Sequence, residues 1–172
     1  MVGLAKSISQ QRLHVQLATS QNRIDARSAL VRYDSTMEML NPSAKRAWTR
    51  LLHTYPEWNT YFGTCGSGNL EVVVPAPPGS TAGHLIVFTN GGDLWLRYSP
   101  PYMCYMVDDE NEMLSIIDQL LQDQTLFVVI MRGDVWEGTT LINRQQKPDL
   151  KPAQSAQICS WSGTHDRIVK EK

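Results

Sequence analysis

The tripeptide Asn90-Gly91-Gly92 constrains the fold of this chain more than any other short stretch. It lies between two segments with alternating apolar residues, HLIVFT (84–89) and DLWLRY (93–98). An Asn-Gly or Gly-Gly pair in this setting predicts a tight β-hairpin, because the central turn residues need positive φ angles. A phosphate-binding loop would need a longer glycine pattern that opens into a helix, whereas here a strand follows. We therefore predict two paired antiparallel strands, with Asn90-Gly91 or Gly91-Gly92 at the tip.

The alternation along this hairpin divides its side chains between two faces, and either tip gives the same division. One face carries residues typical of a core: Leu85, Val87, Leu94, Leu96 and Tyr98. The opposite face combines aromatic, apolar and cationic side chains: His84, Ile86, Phe88, Trp95 and Arg97. A helix across this second face would bury Trp95 and Phe88. An exposed face would suit recognition instead, since Trp, Tyr and Arg dominate binding energy at interfaces. The sequence leaves both explanations open.

Two amphipathic helices are predicted on either side of the hairpin. The first begins at Asn41-Pro42, an N-cap followed by a proline that suits the first helical position, and ends before Tyr55-Pro56. The second covers about residues 109–122, where apolar residues recur every three or four positions. Asp109 and Glu112 resemble a capping box at its start.

The remaining patterns indicate an α+β fold. Strands are predicted over residues 70–75, 84–89, 93–98, 102–106, 125–131, 135–142 and 156–161. The segment TLFVVIM (125–131) is apolar on both faces, which predicts a central strand that is covered on both sides. We therefore predict a single α+β domain over residues 41–172, with a mostly antiparallel sheet of about six to seven strands and two main amphipathic helices. Residues 1–40 are more polar and are predicted to form a weakly helical N-terminal arm.

Charge and cysteine content argue against several classes of partner and site. Sixteen basic and seventeen acidic residues give a formal net charge of −1, which provides no overall attraction to nucleic acid or anionic membranes. The three cysteines lie far apart, which argues against a disulfide framework or a CxxC-type zinc site. The N-terminal residues lack the apolar run of a signal peptide, and no stretch reaches transmembrane length. We expect a cytoplasmic protein.

No group of residues has the spacing of a catalytic or metal site. The four histidines show no metal-ligand spacing, and we expect neither a metal nor a cofactor. The segment SWSGTHD (160–166) contains serine, histidine and aspartate, but triad members normally come from different loops, so we interpret it as a turn. Arg132-Gly133-Asp134 is interpreted as a hairpin turn. Cys104 beside His84 could act as a nucleophile, although a buried structural cysteine is commoner.

An ordered series of motifs spans about residues 68–142, which is under half of the chain. It consists of a proline–glycine loop, GNLEVVVPAPPGS, a strand–turn–strand segment, VFTNGGDLWLRYSPP, an amphipathic helix and the strand pair VVIMRGDVWEGTTLI. This order resembles bacterial immunity proteins of contact-dependent or Rhs-type polymorphic toxin systems. The resemblance implies a cytoplasmic protein that binds the C-terminal domain of a cognate toxin and blocks its active site, with no catalysis of its own.

If this resemblance holds, five residues are expected to bind the partner: Trp95, Arg97, Tyr102, Glu110 and Trp136. They supply the aromatic and arginine anchors and the charge that protein interfaces use. For Trp136 the sequence leaves open a place in the core. The acidic segment 108–112 around Glu110 also has a structural explanation, because carboxylates at a helix N-terminus offset the helix dipole.

Two other functions remain open from the sequence. The chain could be a small enzyme whose pocket lies between the hairpin and the following loop and uses Cys104 or His84. A deep pocket with a perturbed histidine or cysteine would favour an enzyme, and a flat aromatic surface would count against it. Alternatively, the chain could be a regulatory or structural subunit that docks, or forms a homo-oligomer, through the N-terminal arm.

Overall fold

A computed structural model of the chain describes residues 37–100 and 102–171. Apart from its last four residues, the predicted N-terminal arm lies outside this part of the chain. The fold described below is that of the compact unit Leu40–Lys172. The α+β class is confirmed. The predicted single sheet of about six to seven strands is not observed, because the strands form two antiparallel sheets of five and four strands.

The first sheet is an antiparallel meander in which each strand pairs with the next one along the chain. Its strands are β1 (Phe62–Cys65), β2 (Asn69–Pro75), β3 (His84–Asn90), β4 (Asp93–Tyr98) and β5 (Cys104–Val107). The hairpin predicted from Asn90-Gly91-Gly92 is confirmed as the β3–β4 connection. Asn90 pairs with Asp93, so Gly91 and Gly92 form the tip, with φ angles of 63° and 120°. Only glycine adopts such angles without a steric cost.

The two predicted helices are also present, as α1 (Pro42–Thr54) and α2 (Glu110–Leu121), and a 3-10 helix (Pro56–Tyr61) follows α1. The Asn41 side chain accepts a hydrogen bond from the backbone N–H of Ala44 and caps α1. The Asp109 carboxylate accepts from the N–H groups of Asn111 and Glu112 and caps α2. The reciprocal bond of the predicted capping box is shifted by one residue, since Glu112 accepts from the N–H of Asp108.

The core of the first sheet lies on its inner face, which we define as the face that both helices cover. Helix α1 contacts β2, β3 and β4, and α2 contacts β4 and β5. The inner-face side chains are at most 6% exposed: Leu70, Val72, Val74, Leu85, Val87, Leu94, Leu96, Tyr98 and Val107. The face predicted as core in the hairpin is therefore the inner face. Burial of these side chains stabilises the sheet by roughly 1.5–3 kcal/mol for each large one.

The second sheet has the strand order β7-β6-β8-β9. Its strands are β6 (Thr125–Arg132), β7 (Val135–Asn143), β8 (Gln154–Cys159) and β9 (Arg167–Lys170). As predicted, β6 is an interior strand, and its first five residues are buried. The side chain of Tyr98 joins the two cores, because its ring lies 4.7 Å from that of Phe127 in β6.

Strands β1 and β9 were not predicted. Each has four residues and lies at the edge of its sheet. An edge strand of this length has few buried positions, so its sequence shows no clear alternation of apolar and polar residues. In β9, for example, Ile168 is 70% exposed.

The loops that follow β2 and β8 are packed closely at Gly163. This residue has a φ angle of +80°, and an added Cβ atom would lie 3.0 Å from the Cα of Ser80. We expect Gly163→Ala to lower the free energy of unfolding by about 1–3 kcal/mol, since both the backbone angle and the contact disfavour a side chain. Urea denaturation provides the measurement. Gly138→Ala is the matched control, because nothing lies within 4 Å of its added Cβ; equal losses at both positions would contradict the prediction.

Candidate partner-binding surface

The face of the first sheet opposite the helices, which we call the outer face, carries the side chains that the sequence marked as ambiguous. It contains Glu71, Ile86, Phe88, Trp95, Arg97, Cys104 and Met106, which are paired across neighbouring strands. Arg97 and Met106 are exposed, while Phe88 and Trp95 are half-buried. Both described helices cover the inner face instead. The idea that one of these two helices lies across Trp95 and Phe88 is therefore wrong.

Phe88, Trp95 and Arg97 form one stacked cluster on the outer face. The rings of Phe88 and Trp95 face each other across the β3–β4 ladder, with centroids 6.1 Å apart and planes 14° apart. The guanidinium carbon of Arg97 lies 5.5 Å from the centre of the Phe88 ring. Such cation–π contacts contribute about 0.5–1 kcal/mol at exposed sites. The cluster holds the arginine side chain against the sheet and limits its freedom before any partner binds.

A second aromatic pair, Tyr102 and Trp136, lies where β5 and β7 meet. Their ring centroids are 5.7 Å apart and their planes 13° apart. The two residues are 54% and 47% exposed, respectively. Strands β5 and β7 are edge strands of different sheets that contact each other without pairing. We call Tyr102 and Trp136 the junction pair.

Hydrogen bonds fix the geometry of the junction pair. The indole N–H of Trp136 donates to the hydroxyl of Thr139 over 3.2 Å, and that hydroxyl donates to the backbone carbonyl of Tyr102. Tyr102 has a φ angle of +67°, a left-handed conformation that costs roughly 1–2 kcal/mol for a residue with a side chain. Strained residues of this kind are concentrated at functional sites. The exposed rings are therefore held in place at some cost to the backbone.

A β-bulge determines where Trp136 points. The register of β6 and β7 shifts so that Ile130 pairs with Gly138 and Met131 with Trp136, which leaves Glu137 as the extra residue. Glu137 is bound by Arg132 through an ion pair of 2.5 Å, and this hydrogen bond lowers the pKa of its carboxyl group. Bulges commonly redirect side chains in this way. Trp136 lies on the surface as a result, which answers the question that the sequence left open.

Two further exposed apolar residues lie next to the two aromatic clusters. Met106 in β5 is 52% exposed and pairs with Trp95, and Val135 in β7 is 65% exposed and precedes Trp136. Sequence reasoning missed both, together with Thr139. For Met106 a signal was available, because alternation along β5 places it on the same face as Cys104. For Val135 and Thr139 no signal was available before the bulge was known.

Glu110 lies apart from the other four candidate residues. It is the first residue of α2, and its carboxylate forms a 2.9 Å ion pair with Arg46 of α1. The two residues line a cleft of about 330 Å³ on the helical side of the sheet, together with Lys45, Thr49 and Arg50. The structure therefore places Glu110 in a contact between helices. It brings Trp95 and Arg97 together on the outer face and places Tyr102 with Trp136 at the junction.

The structure does not assemble a nucleophile from Cys104 and His84. Cys104 in β5 pairs with Arg97 in β4, whereas His84 lies in β3 and pairs with Pro75 in β2. Strand β4 therefore lies between Cys104 and His84, and the two residues are also offset by two positions along the strands. Burial raises the pKa of the Cys104 thiol, although the charge of Arg97 opposes this shift. A neutral thiol is a poor nucleophile. The imidazole Nδ1 of His84 lies 2.9 Å from the hydroxyl of Ser99.

The segment 160–166 forms the connection between β8 and β9, as its interpretation as a turn requires. The carboxylate of Asp166 accepts hydrogen bonds from the backbone N–H and the hydroxyl of Ser160, over 2.7 and 3.0 Å. The backbone N–H of His165 donates to the same hydroxyl. Serine and aspartate thus contact each other directly, and the imidazole ring is not between them. These bonds stabilise a loop and do not form a catalytic triad.

Comparisons with known proteins do not assign this chain to a family. No known family matches the chain, and no match was found among curated proteins or solved structures. Residues 37–100 and 102–171 contain no cluster of three or more metal-binding side chains. Within the same ranges, no helix combines the length and apolar character that crossing a membrane requires. The outer face and the junction pair are the features of the described residues that suggest a binding function.

Proposed function

We propose that this protein is an inhibitor of the immunity-protein type, which binds the C-terminal domain of a cognate toxin and blocks its active site. The observation that carries the proposal is the stack of Phe88, Trp95 and Arg97 on the outer face, which neither α1 nor α2 covers. A sheet face with two large aromatic rings is normally covered by another layer of the fold. A partner protein would supply that layer here.

The chemistry of the surface favours a protein partner. Tryptophan, tyrosine and arginine are the residues that contribute most to binding at protein interfaces. Trp95, Arg97 and the junction pair supply all three types, and Met106 and Val135 add exposed apolar area between and beside them. The rings are held by stacking and by the Thr139 bonds. Such preorganisation reduces the entropy that is lost when a complex forms.

The proposed mechanism is steric and needs no reaction by this chain. The toxin domain would bury its active-site rim against the outer face, with the junction pair as a second anchor at the edge. In this proposal the complex forms in the cytoplasm of the producing cell. Glu110 stays a predicted partner contact, but it lies apart from the proposed binding surface, since its carboxylate forms an ion pair with Arg46 of α1.

Affinity capture tests this function. The tagged full-length chain is expressed in its source cells together with the neighbouring genes, and co-purifying proteins are identified by mass spectrometry. We expect one stoichiometric partner, the C-terminal domain of a large secreted protein, whose toxicity is suppressed when this chain is co-expressed. A doubly substituted chain, Trp95→Ala with Trp136→Ala, should lose the partner. Ile168→Ala serves as the control, because this exposed residue lies on β9, at the edge of the second sheet opposite β7.

Either of two results would refute the proposal. One is that no stoichiometric partner is captured under co-expression. The other is that the captured partner binds the doubly substituted chain as tightly as the unaltered one, although both chains are folded. The second result would place the interface on another part of the protein.

A further inference from the structure

Arg97 on the outer face has a charge that no described acidic group neutralises. Its guanidinium group rests on the Phe88 ring. The ion pairs found in the described residues involve other arginines, Arg46 and Arg132. The described acids on the outer face include Glu71, opposite Phe88 in β2, and Asp93 at the start of β4, and neither forms an ion pair with Arg97 within 4 Å. The five N–H donors of Arg97 are thus available to an acceptor from outside this part of the chain.

A second hydrogen-bond donor without an acceptor lies in the same cluster. The indole Nε1 of Trp95 is buried and has no hydrogen-bond partner among the described residues. A buried donor without a partner costs roughly 1–3 kcal/mol. The residue opposite Trp95 is Met106, whose long and flexible side chain is half exposed. A methionine side chain changes its rotamer easily, so this neighbour of the indole can move without a change in the backbone.

The surroundings strengthen any contact that these donors make. Arg97 is flanked across the ladders by Ile86, which is 7% exposed, and by Cys104. Burial raises the pKa of the Cys104 thiol, so this thiol is neutral and does not compensate the arginine charge. Charged hydrogen bonds beside apolar side chains are stronger than those in open water. An acceptor that reaches Arg97 is held in a partly desolvated setting.

We propose that the outer face binds a carboxylate, the side chain of an aspartate or glutamate on the partner protein, between the Arg97 guanidinium and the Trp95 indole N–H. This inference rests on the proposed function and adds the chemistry of its central contact. A planar carboxylate matches the fork of a guanidinium with two parallel hydrogen bonds. One cation with one neutral donor suits a single negative charge, whereas phosphate-binding surfaces of nucleic-acid partners combine several cations. A partner carboxylate used in catalysis would be neutralised by this contact.

Nuclear magnetic resonance of the ¹⁵N-labelled full-length chain tests the site without the partner. The probes are sodium acetate and, as the neutral match, acetamide, at constant ionic strength set by sodium chloride. The Trp95 indole signal is assigned by its loss in Trp95→Phe, and the Arg97 Nε–H signal by its loss in Arg97→Gln. We expect acetate to shift both signals saturably and acetamide to shift neither. In Arg97→Gln the acetate affinity read at the Trp95 signal should fall roughly tenfold, as expected for loss of a charged hydrogen bond.

Unchanged signals in acetate would overturn the inference. Inorganic phosphate is the competing probe. If phosphate binds more tightly than acetate, the inference of a carboxylate site is also overturned, in favour of a site for a phosphate group. Failure of the site and failure of the proposed function give different results. A captured partner that binds Arg97→Gln and Trp95→Phe as tightly as the unaltered chain would leave the inhibitor function standing and remove the carboxylate contact. Binding of acetate without any captured partner would leave the carboxylate site standing and remove the inhibitor function.

Discussion

Replacement of Trp48 by alanine is expected to lower the free energy of unfolding by about 3–5 kcal/mol, the usual cost of truncating a fully buried aromatic side chain. Trp48 is 1% exposed. Its ring lies 4.6 Å from that of Phe62 in β1, so it joins α1 to the edge of the first sheet. Proteins of this size are stable by only about 5–15 kcal/mol. The loss should be visible in urea as a large decrease in the midpoint of unfolding.

The matched control for Trp48→Ala is Trp136→Ala. It removes the same atoms from a side chain that is 47% exposed. Its cost should be about 0.5–1.5 kcal/mol, the contribution of the aromatic stack with Tyr102. A loss at Trp136 as large as the loss at Trp48 would show that the junction pair is part of the core. It would then contradict our assignment of the pair to a binding surface.

Replacement of Trp95 by alanine is expected to weaken binding of the captured partner by about 2 kcal/mol or more, which is roughly 30-fold in Kd. The ring is central in the outer face and half-buried, and it stacks on Phe88. Loss of the stack should destabilise the free protein by only about 1 kcal/mol. Titration calorimetry with the purified partner and urea denaturation of the free chain measure the two effects separately.

Two outcomes of the Trp95→Ala experiment would contradict the assignment. A chain that no longer folds would show that the Trp95 ring is a core residue. A folded chain with unchanged affinity would show that the partner does not contact the outer face. Ile168→Ala, on the opposite edge of the second sheet, should leave both the affinity and the stability within about 0.5 kcal/mol of the unaltered chain, as is usual for a surface substitution.

The elements that depend on local patterns were predictable. The Asn90-Gly91-Gly92 turn, the caps of the helices at Asn41 and Asp109, and the buried strand β6 are where the sequence indicated them. Each depends on a preference that acts over a few residues, such as positive φ at a turn or a side chain that accepts a hydrogen bond from a helix N-terminus. The two faces of the hairpin were predictable for the same reason, because side chains alternate along a strand.

The division of the strands into two sheets was not predictable in this way. Strands β5 and β7 contact each other without pairing, and Tyr98 packs on Phe127 across the two sheets. Whether two neighbouring edges form a continuous ladder depends on packing between distant segments, which no short stretch of sequence records. The short edge strands β1 and β9 were not predicted for a related reason, since they have few buried positions.

The sequence by itself determined which side chains share a face, where the hairpin turns and where both helices begin. These features follow from alternation, from backbone angles and from capping, all of which act locally. The tertiary structure decided which face is covered. It placed α1 and α2 on the inner face, so that neither of these two helices covers Trp95 and Arg97. It also brought Tyr102 beside Trp136, 34 positions further along the chain, through a bulge at Glu137. Coverage and contact depend on how distant elements pack, which no short segment of the sequence specifies.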